Sequence, residues 1–310
     1  MILAITPNPS IDISYKLDHF EPAAINKIQD RVKTPGGKGI NVAKVLKLLG
    51  ANPICSGFLG GKVGEYIEEE LEIRGIKSDF IKINGESRSC YAIRNGLDGQ
   101  ITELREKGPE ISEAEEEAFF DNLEKIYPAI SIITCSGSLP LGLGQTFYDK
   151  LLEKTKDKKF ILDTSGEYLR KIVLENPIKP FAIKPNMDEL VDIFGQESTL
   201  KKPVELLKDY RLKDIPLVIL SMGSRGAICK YEDRFFTCTV PSIKAINPVG
   251  SGDSSLAGLA YGLDKGLDIE EILCLSMACG VLNAMEREIG HIDVRILEDI
   301  KRQIEIKELS

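Results

Sequence analysis

Short apolar runs rich in β-branched residues alternate with helix-patterned segments along most of this chain, and no other feature constrains its fold as strongly. Strand-like runs fall at 1–6, 53–58, 130–135, 159–163, 180–184, 216–220, 226–231 and 234–240. Helical spacing occupies 40–49, 62–74, 112–126, 145–155, 186–194 and 202–209; Val42, Val45, Leu46 and Leu49, for instance, share one helix face. Strands separated by helical crossovers pair in parallel, so the pattern predicts an α/β fold whose mostly parallel sheet carries helices on both faces. The last third turns helical, at 252–264, 269–287 and 293–303. With 310 residues, 43% of them hydrophobic, the chain can bury a large core. No repeat or low-complexity linker divides it, and 1–310 reads as one domain.

Two stretches break the alternation. Residues 11–33 and 87–104 alternate apolar and polar positions with no helix between their strands, as in Ile11, Ile13, Tyr15 and Leu17. They read as antiparallel excursions forming a small β lid, with a plain surface hairpin as the alternative.

Composition excludes several function classes. A net charge of −8 argues against general affinity for nucleic acid or an anionic membrane. The seven cysteines, at 55, 90, 135, 229, 238, 274 and 279, are odd in number and form no Cys-x-x-Cys, so neither a full disulfide framework nor a zinc ribbon fits. His19 and His291 are too few for a transition-metal site. The N-terminus has no basic lead and reads as a first strand, not a signal peptide, and no apolar run approaches the roughly 20 residues that span a bilayer. A cytoplasmic protein is expected.

Two glycine-rich segments point to chemistry. The first is Pro35-Gly36-Gly37-Lys38-Gly39-Ile40-Asn41-Val42-Ala43; the second is Asn247-Pro248-Val249-Gly250-Ser251-Gly252-Asp253-Ser254. Each precedes a helical run, and a helix N-terminus offers unpaired N–H groups and partial positive charge to an anion such as phosphate. In the second, Gly250, Ser251 and Gly252 would form the anion hole, and Asp253 would take a proton from an attacking hydroxyl. Taken alone, the Asp253 segment reads more readily as an ordinary N-cap or turn, and the first segment equally as a turn. Neither segment is a P-loop, since Gly-x-x-x-x-Gly-Lys-Ser/Thr is missing, and no Gly-x-Gly-x-x-Gly follows the first strand.

Further segments occur in a telling order: Thr6-Pro7-Asn8-Pro9-Ser10-Ile11-Asp12, the first glycine segment, Ser136-Gly137-Ser138-Leu139-Pro140, Lys184-Pro185-Asn186-Met187-Asp188-Glu189-Leu190, Ser221-Met222-Gly223, the second glycine segment, and Leu282-Asn283-Ala284. Together, across effectively the whole chain, they resemble the phosphofructokinase-B branch of the ribokinase family, and most of all its tagatose-phosphate members, with 1-phosphofructokinases as near neighbours. The resemblance implies an ATP-dependent kinase of a ketohexose monophosphate, foremost tagatose 6-phosphate, with fructose 1-phosphate as the rival acceptor. It implies Asp253 as base and Asp12, Asn41, Lys38, Ser138 and the Gly36–Gly37 backbone as sugar contacts. Lys27 and Arg88 would meet the phosphate already on the substrate. Asn186 and Glu189 would organise magnesium largely through water. Lys184, Ser221, Gly223, Gly226 and Asn283 would line the nucleotide site. For Arg88 a solvated edge cation, for Glu189 a helix-end carboxylate and for Asn283 a buried helix polar group are the plainer readings.

One departure counts. The wider family often reads Asp-Thr where this chain has Asn247-Pro248, so a potassium requirement does not carry over; the tagatose-phosphate branch shares the Asn-Pro-Val version. His291 and Asp293 suggest a loop or cap before they suggest a catalytic pair. A homodimer through the lid strands is expected, and a catalytically silent sugar-phosphate sensor is the rival from another class.

Overall fold

The computed structural model describes residues 1–195 and 202–309. Strand β1 (Ile2–Thr6) opens the main sheet, and the chain at once leaves it for β2 (Ser10–Leu17) and β3 (Asp30–Gly36). Helix α1 (Lys38–Leu48) returns to β4 (Ile54–Leu59), α2 (Gly61–Ile73) leads to β5 (Lys77–Lys82), and β6 (Arg88–Asn95) and β7 (Ile101–Arg105) leave the sheet again. Regular alternation follows through α3 (Glu113–Ile126), β8 (Ile132–Ser136), α4 (Gln145–Lys154), β9 (Lys159–Asp163), α5 (Gly166–Leu174), β10 (Ala182–Ile183), α6 (Met187–Phe194), α7 (Pro203–Leu207) and β11 (Leu217–Ser221). The hairpin β12 (Ala227–Tyr231) and β13 (Arg234–Thr239) precedes α8 (Ser251–Lys265), α9 (Ile269–Ala284), α10 (Leu297–Lys301) and a last strand, β14 (Glu305–Leu309).

The main sheet runs β14-β13-β12-β11-β10-β9-β8-β1-β4-β5, and the second runs β3-β2-β6-β7. From β5 to β11 all neighbours are parallel, whereas β11 to β14 pair antiparallel. This is the predicted α/β fold with a small separate sheet. Strand alternation sends side chains to opposite faces. Leu3 and Ile5 therefore join Phe119, Phe147 and Leu151 in one core cluster, while Ile2 joins Val42, Leu256 and Leu282 in another. Each such Leu, Ile or Phe contributes roughly 1.5–3 kcal/mol by leaving water.

Three elements escaped the sequence reading. Strands β5 and β14 form the two edges of the main sheet, where charged residues are tolerated and the apolar signal is thin. Helix α5 does carry a readable stripe, Leu169, Ile172 and Val173, all buried. The helix expected at 293–303 narrows to α10 after a tight turn at Val294–Ile296.

Candidate active site

The carboxyl ends of the central parallel strands open toward two helix N-termini. Helix α1 starts after Gly37 (φ 104°) and α8 after Gly250 (φ 83°), and neither start is capped by a side chain. Their first-turn N–H groups have no intrahelical acceptor. Gly250 admits no other residue easily: its left-handed φ disfavours L side chains, and a Cβ there would lie 2.5 Å from Ile289. Gly36 is needed for close approach, since a Cβ would fall 2.2 Å from the Asp12 carboxylate.

The two glycine segments meet through one hydrogen bond: Asn41 Nδ2 donates to Asp253 Oδ2 at 2.9 Å, across 212 residues of sequence. Asp253 is buried, and burial pushes its carboxyl up to about 6. The nearby Asp163 charge adds to that rise, while Asn41, Lys38 and Lys184 oppose it. Lys38 and Lys184 share Asp163, at 3.6 and 4.0 Å, and that carboxylate is the main cause of an upward shift at Lys38. Lys184 Nζ also stands 3.1 Å from where a Cβ of Gly252 would sit, so a cation borders the glycine turn. Around this floor, Thr6 Oγ1, Asn8 Oδ1, Asn41 Oδ1 and Ser136 Oγ are buried without hydrogen-bond partners. Buried polar groups are rarely left unpaired, and these four atoms stand close to the two glycine segments or to the strand ends beside them.

Asp12 accepts from Ser10 Oγ at 2.8 Å; burial raises its carboxyl, against the pull of Ser10, Lys44, Arg88 and Arg105. Arg88 donates from Nη2 to the Asn8 carbonyl and from Nη1 to the Glu106 carbonyl, bracing two loops around the mouth. Lys27 lies exposed in the β2–β3 loop. Ser138 lines a neighbouring cavity of about 560 Å³ with Thr164, Gln145 and Lys171. Sequence reasoning missed Arg105 and Asp163. Arg105 pairs in register with Cys90, which pairs with Asp12, so all three share a sheet face. Only the sheet pairing could have revealed it.

On the far side, Asn186 and Glu189 form a reciprocal capping box at the start of α6: Asn186 Oδ1 accepts from Glu189 N, and Glu189 Oε2 accepts from Asn186 N, each at 2.9 Å. Burial, foremost, raises the Glu189 carboxyl. A bridge pairs Asn186 with Ser221, and Ser221 Oγ donates to the Pro185 carbonyl. Gly223 opens a tight turn that Gly226 closes against the Cys238 carbonyl. Asn283 is fully buried and saturated within the protein: Oδ1 accepts from Ser254 Oγ and Gly290 N, and Nδ2 donates to the Val249 carbonyl. The buried-polar reading of this residue describes its contacts. Asn247 Oδ1 accepts from Val249 N, so the amide in place of a carboxylate caps the turn. Asp293 is engaged by the Arg295 guanidinium and N–H, which hold its carboxyl down at about 2. Among the described residues no group of three or more His, Cys, Asp or Glu side chains could hold a metal, and no helix is long and apolar enough to cross a membrane. All seven cysteines are free.

The chain thus combines a mostly parallel α/β sheet with a buried carboxylate beside an uncapped glycine-led helix and a second sheet bearing Asp12. The model of the pfkB family carbohydrate kinases matches residues 5–291, and the chain belongs to that family. It is 43% identical over 313 residues, covering all of both chains, to a tagatose-6-phosphate kinase of Staphylococcus epidermidis. Among solved structures it superposes on a provisionally assigned phosphofructokinase from Staphylococcus aureus (TM-score 0.82, 30% identity, 100% and 99% of the two chains). A provisionally assigned 1-phosphofructokinase from Thermotoga maritima shares the fold (TM-score 0.89, 21% identity, all of both chains).

Proposed function

We propose that this carbohydrate kinase transfers the γ-phosphoryl group of ATP to the free primary hydroxyl of tagatose 6-phosphate, giving tagatose 1,6-bisphosphate. The observation that carries the chemistry is the buried Asn41–Asp253 pair at the open N-terminus of α8. The choice of acceptor is supported by the full-length relative at 43% identity.

In this reading Asp253 accepts the hydroxyl proton as the new P–O bond forms and the bond to the departing ADP breaks. A base held near pH 6 is ionised at neutral pH yet still receives a proton readily. The N–H groups of Gly250, Ser251 and Gly252, with Lys184 beside them, meet the negative charge of the transferring group. Asn41 orients Asp253 with Nδ2 and offers its free Oδ1 to a sugar hydroxyl, and Asp12, Lys38 and the Gly36–Gly37 backbone take the others. Arg88, Arg105, Lys27 and Ser138 would surround the substrate phosphate. The second sheet would close over the sugar and keep water from the γ-phosphate.

Magnesium fits the donor set of Asn186 and Glu189 only as a largely hydrated ion, because the capping box occupies one oxygen of each side chain. Bound there, it would neutralise charge on the ATP phosphates. Ser221, Gly223 and Gly226 would shape the nucleotide pocket after β11, and Asn283 would hold its glycine turn. The open edges of β3 and β7, with Val32, Ile101 and Leu104 exposed, support pairing between two copies of the chain.

A coupled ADP-release assay with magnesium-ATP and, separately, tagatose 6-phosphate, fructose 1-phosphate, fructose 6-phosphate and ribose tests the reading. The highest kcat/KM is expected for tagatose 6-phosphate. A preference for fructose 1-phosphate would reassign the acceptor. No turnover by folded, ATP-binding protein would favour a sensor.

A further inference from the structure

Lys44 is an expensive residue to place where it lies. It sits in α1 one turn beyond Asn41, almost wholly buried at 3% exposure, and burial lowers its ammonium group. A well-packed apolar side chain would avoid that desolvation cost. Its Nζ donates to the Ile289 carbonyl and pairs with Glu288 Oε1 at 3.2 Å; Arg74, capping the end of α2, reaches the same oxygen at 3.0 Å.

These contacts seize the segment that follows α9, and that segment backs the reacting groups on two sides. Gly290 lies against Asn41, where a Cβ would come within 3.0 Å of Asn41 Cα, Cβ and Oδ1. Its N–H donates to Asn283 Oδ1, and Asn283 in turn holds the Val249 carbonyl at the head of the glycine turn. Ile289 packs over Gly250. Segment 288–290 thus touches both Asn41 and the α8 glycine turn.

We propose that Lys44 and Glu288 form a positioning clamp for phosphoryl transfer, fixing segment 288–290 so that Asn41 holds Asp253 in line with the anion hole. Neither residue touches the reacting atoms; both act through Asn41 and the turn. The inference rests on Asp253 being the base, and misplacement of a reacting group by about 1 Å can cost on the order of 100-fold in rate.

The test uses the full chain, the best acceptor from the panel above, and the variants Lys44→Met and Asn41→Ala singly and together. Lys44→Met is expected to lower kcat about 10- to 100-fold with both KM values within about threefold, and to cost less than about twofold once Asn41 is already Ala. Equal proportional losses in both backgrounds, or an unchanged kcat, would overturn the clamp. If Lys44→Met does not fold, Glu288→Gln at the half-buried rim decides: a loss of kcat that vanishes in the Asn41→Ala background supports the clamp, and a wild-type kcat refutes it. Wild-type turnover by Asp253→Asn would instead sink the base assignment, so the two failures are told apart.

Discussion

Helices α3 and α6 begin very differently from α1 and α8. In α3, Ser112 and Glu115 satisfy each other's backbone N–H groups, and Asn186 and Glu189 do the same for α6. The starts of α1 and α8 have no side-chain cap and are led by glycines held at positive φ. A cap stabilises a helix end by roughly 1 kcal/mol. Helices α4 and α5 also start without such a cap, but α1 and α8 are the pair that meets at Asp253, where open N–H groups suit a phosphoryl group.

The sharpest way to break this contrast is Asp253→Asn. Removing a general base is expected to lower kcat by about 100- to 10,000-fold while ATP binding persists. Burial holds the folded-state pKa above the ordinary 3.8, so this group favours the fold fully below that value and loses the contribution as pH rises through about 6. At pH 8 the buried charge opposes folding, and the Asn variant should gain on the order of 1–3 kcal/mol in denaturant titrations. The wild type should show kcat/KM falling about tenfold per pH unit below about 6. A flat acid limb, or a less stable Asn variant, would contradict the assignment.

A smaller effect is expected at the α8 turn. Gly250→Ala forces a side chain into left-handed backbone and against Ile289, and should cost roughly 1–3 kcal/mol of stability together with a tenfold or greater loss of kcat. Stability lost with kcat intact would mean that the turn serves the fold alone. The smallest effect belongs to the closed ends. Ser112→Ala should lower stability by about 1 kcal/mol and leave kcat unchanged, as thermal melts and initial rates would show. A change in kcat there would blur the distinction between the two kinds of helix start.

Much of the fold was legible because its signals are local. Val42, Val45, Leu46 and Leu49 mark α1 within one turn's spacing, and glycines before helices mark both open ends. Edge strands β5 and β14 were not legible, because pairing on one side only lets charged residues such as Lys77, Lys82, Glu305 and Lys307 occupy a strand. Within the site, Asp12, Asn41 and Asp253 could be named from their motifs. Arg105 could not, since its place depends on the pairing of β2, β6 and β7. Nothing local in the sequence marks Lys44; its burial and its bond to the Ile289 carbonyl exist only in the folded chain.

By itself the sequence determined the alternation of strands and helices, the two glycine-led helix starts and the carboxylate at the second, since each depends on residues a few positions apart. The tertiary structure alone decided that Asn41 meets Asp253, that Asp163 sits between Lys38 and Lys184, and that Asp253 is pushed up to about 6. Burial and charge proximity are properties of space, and residues 212 apart in sequence acquire them only when the chain has folded.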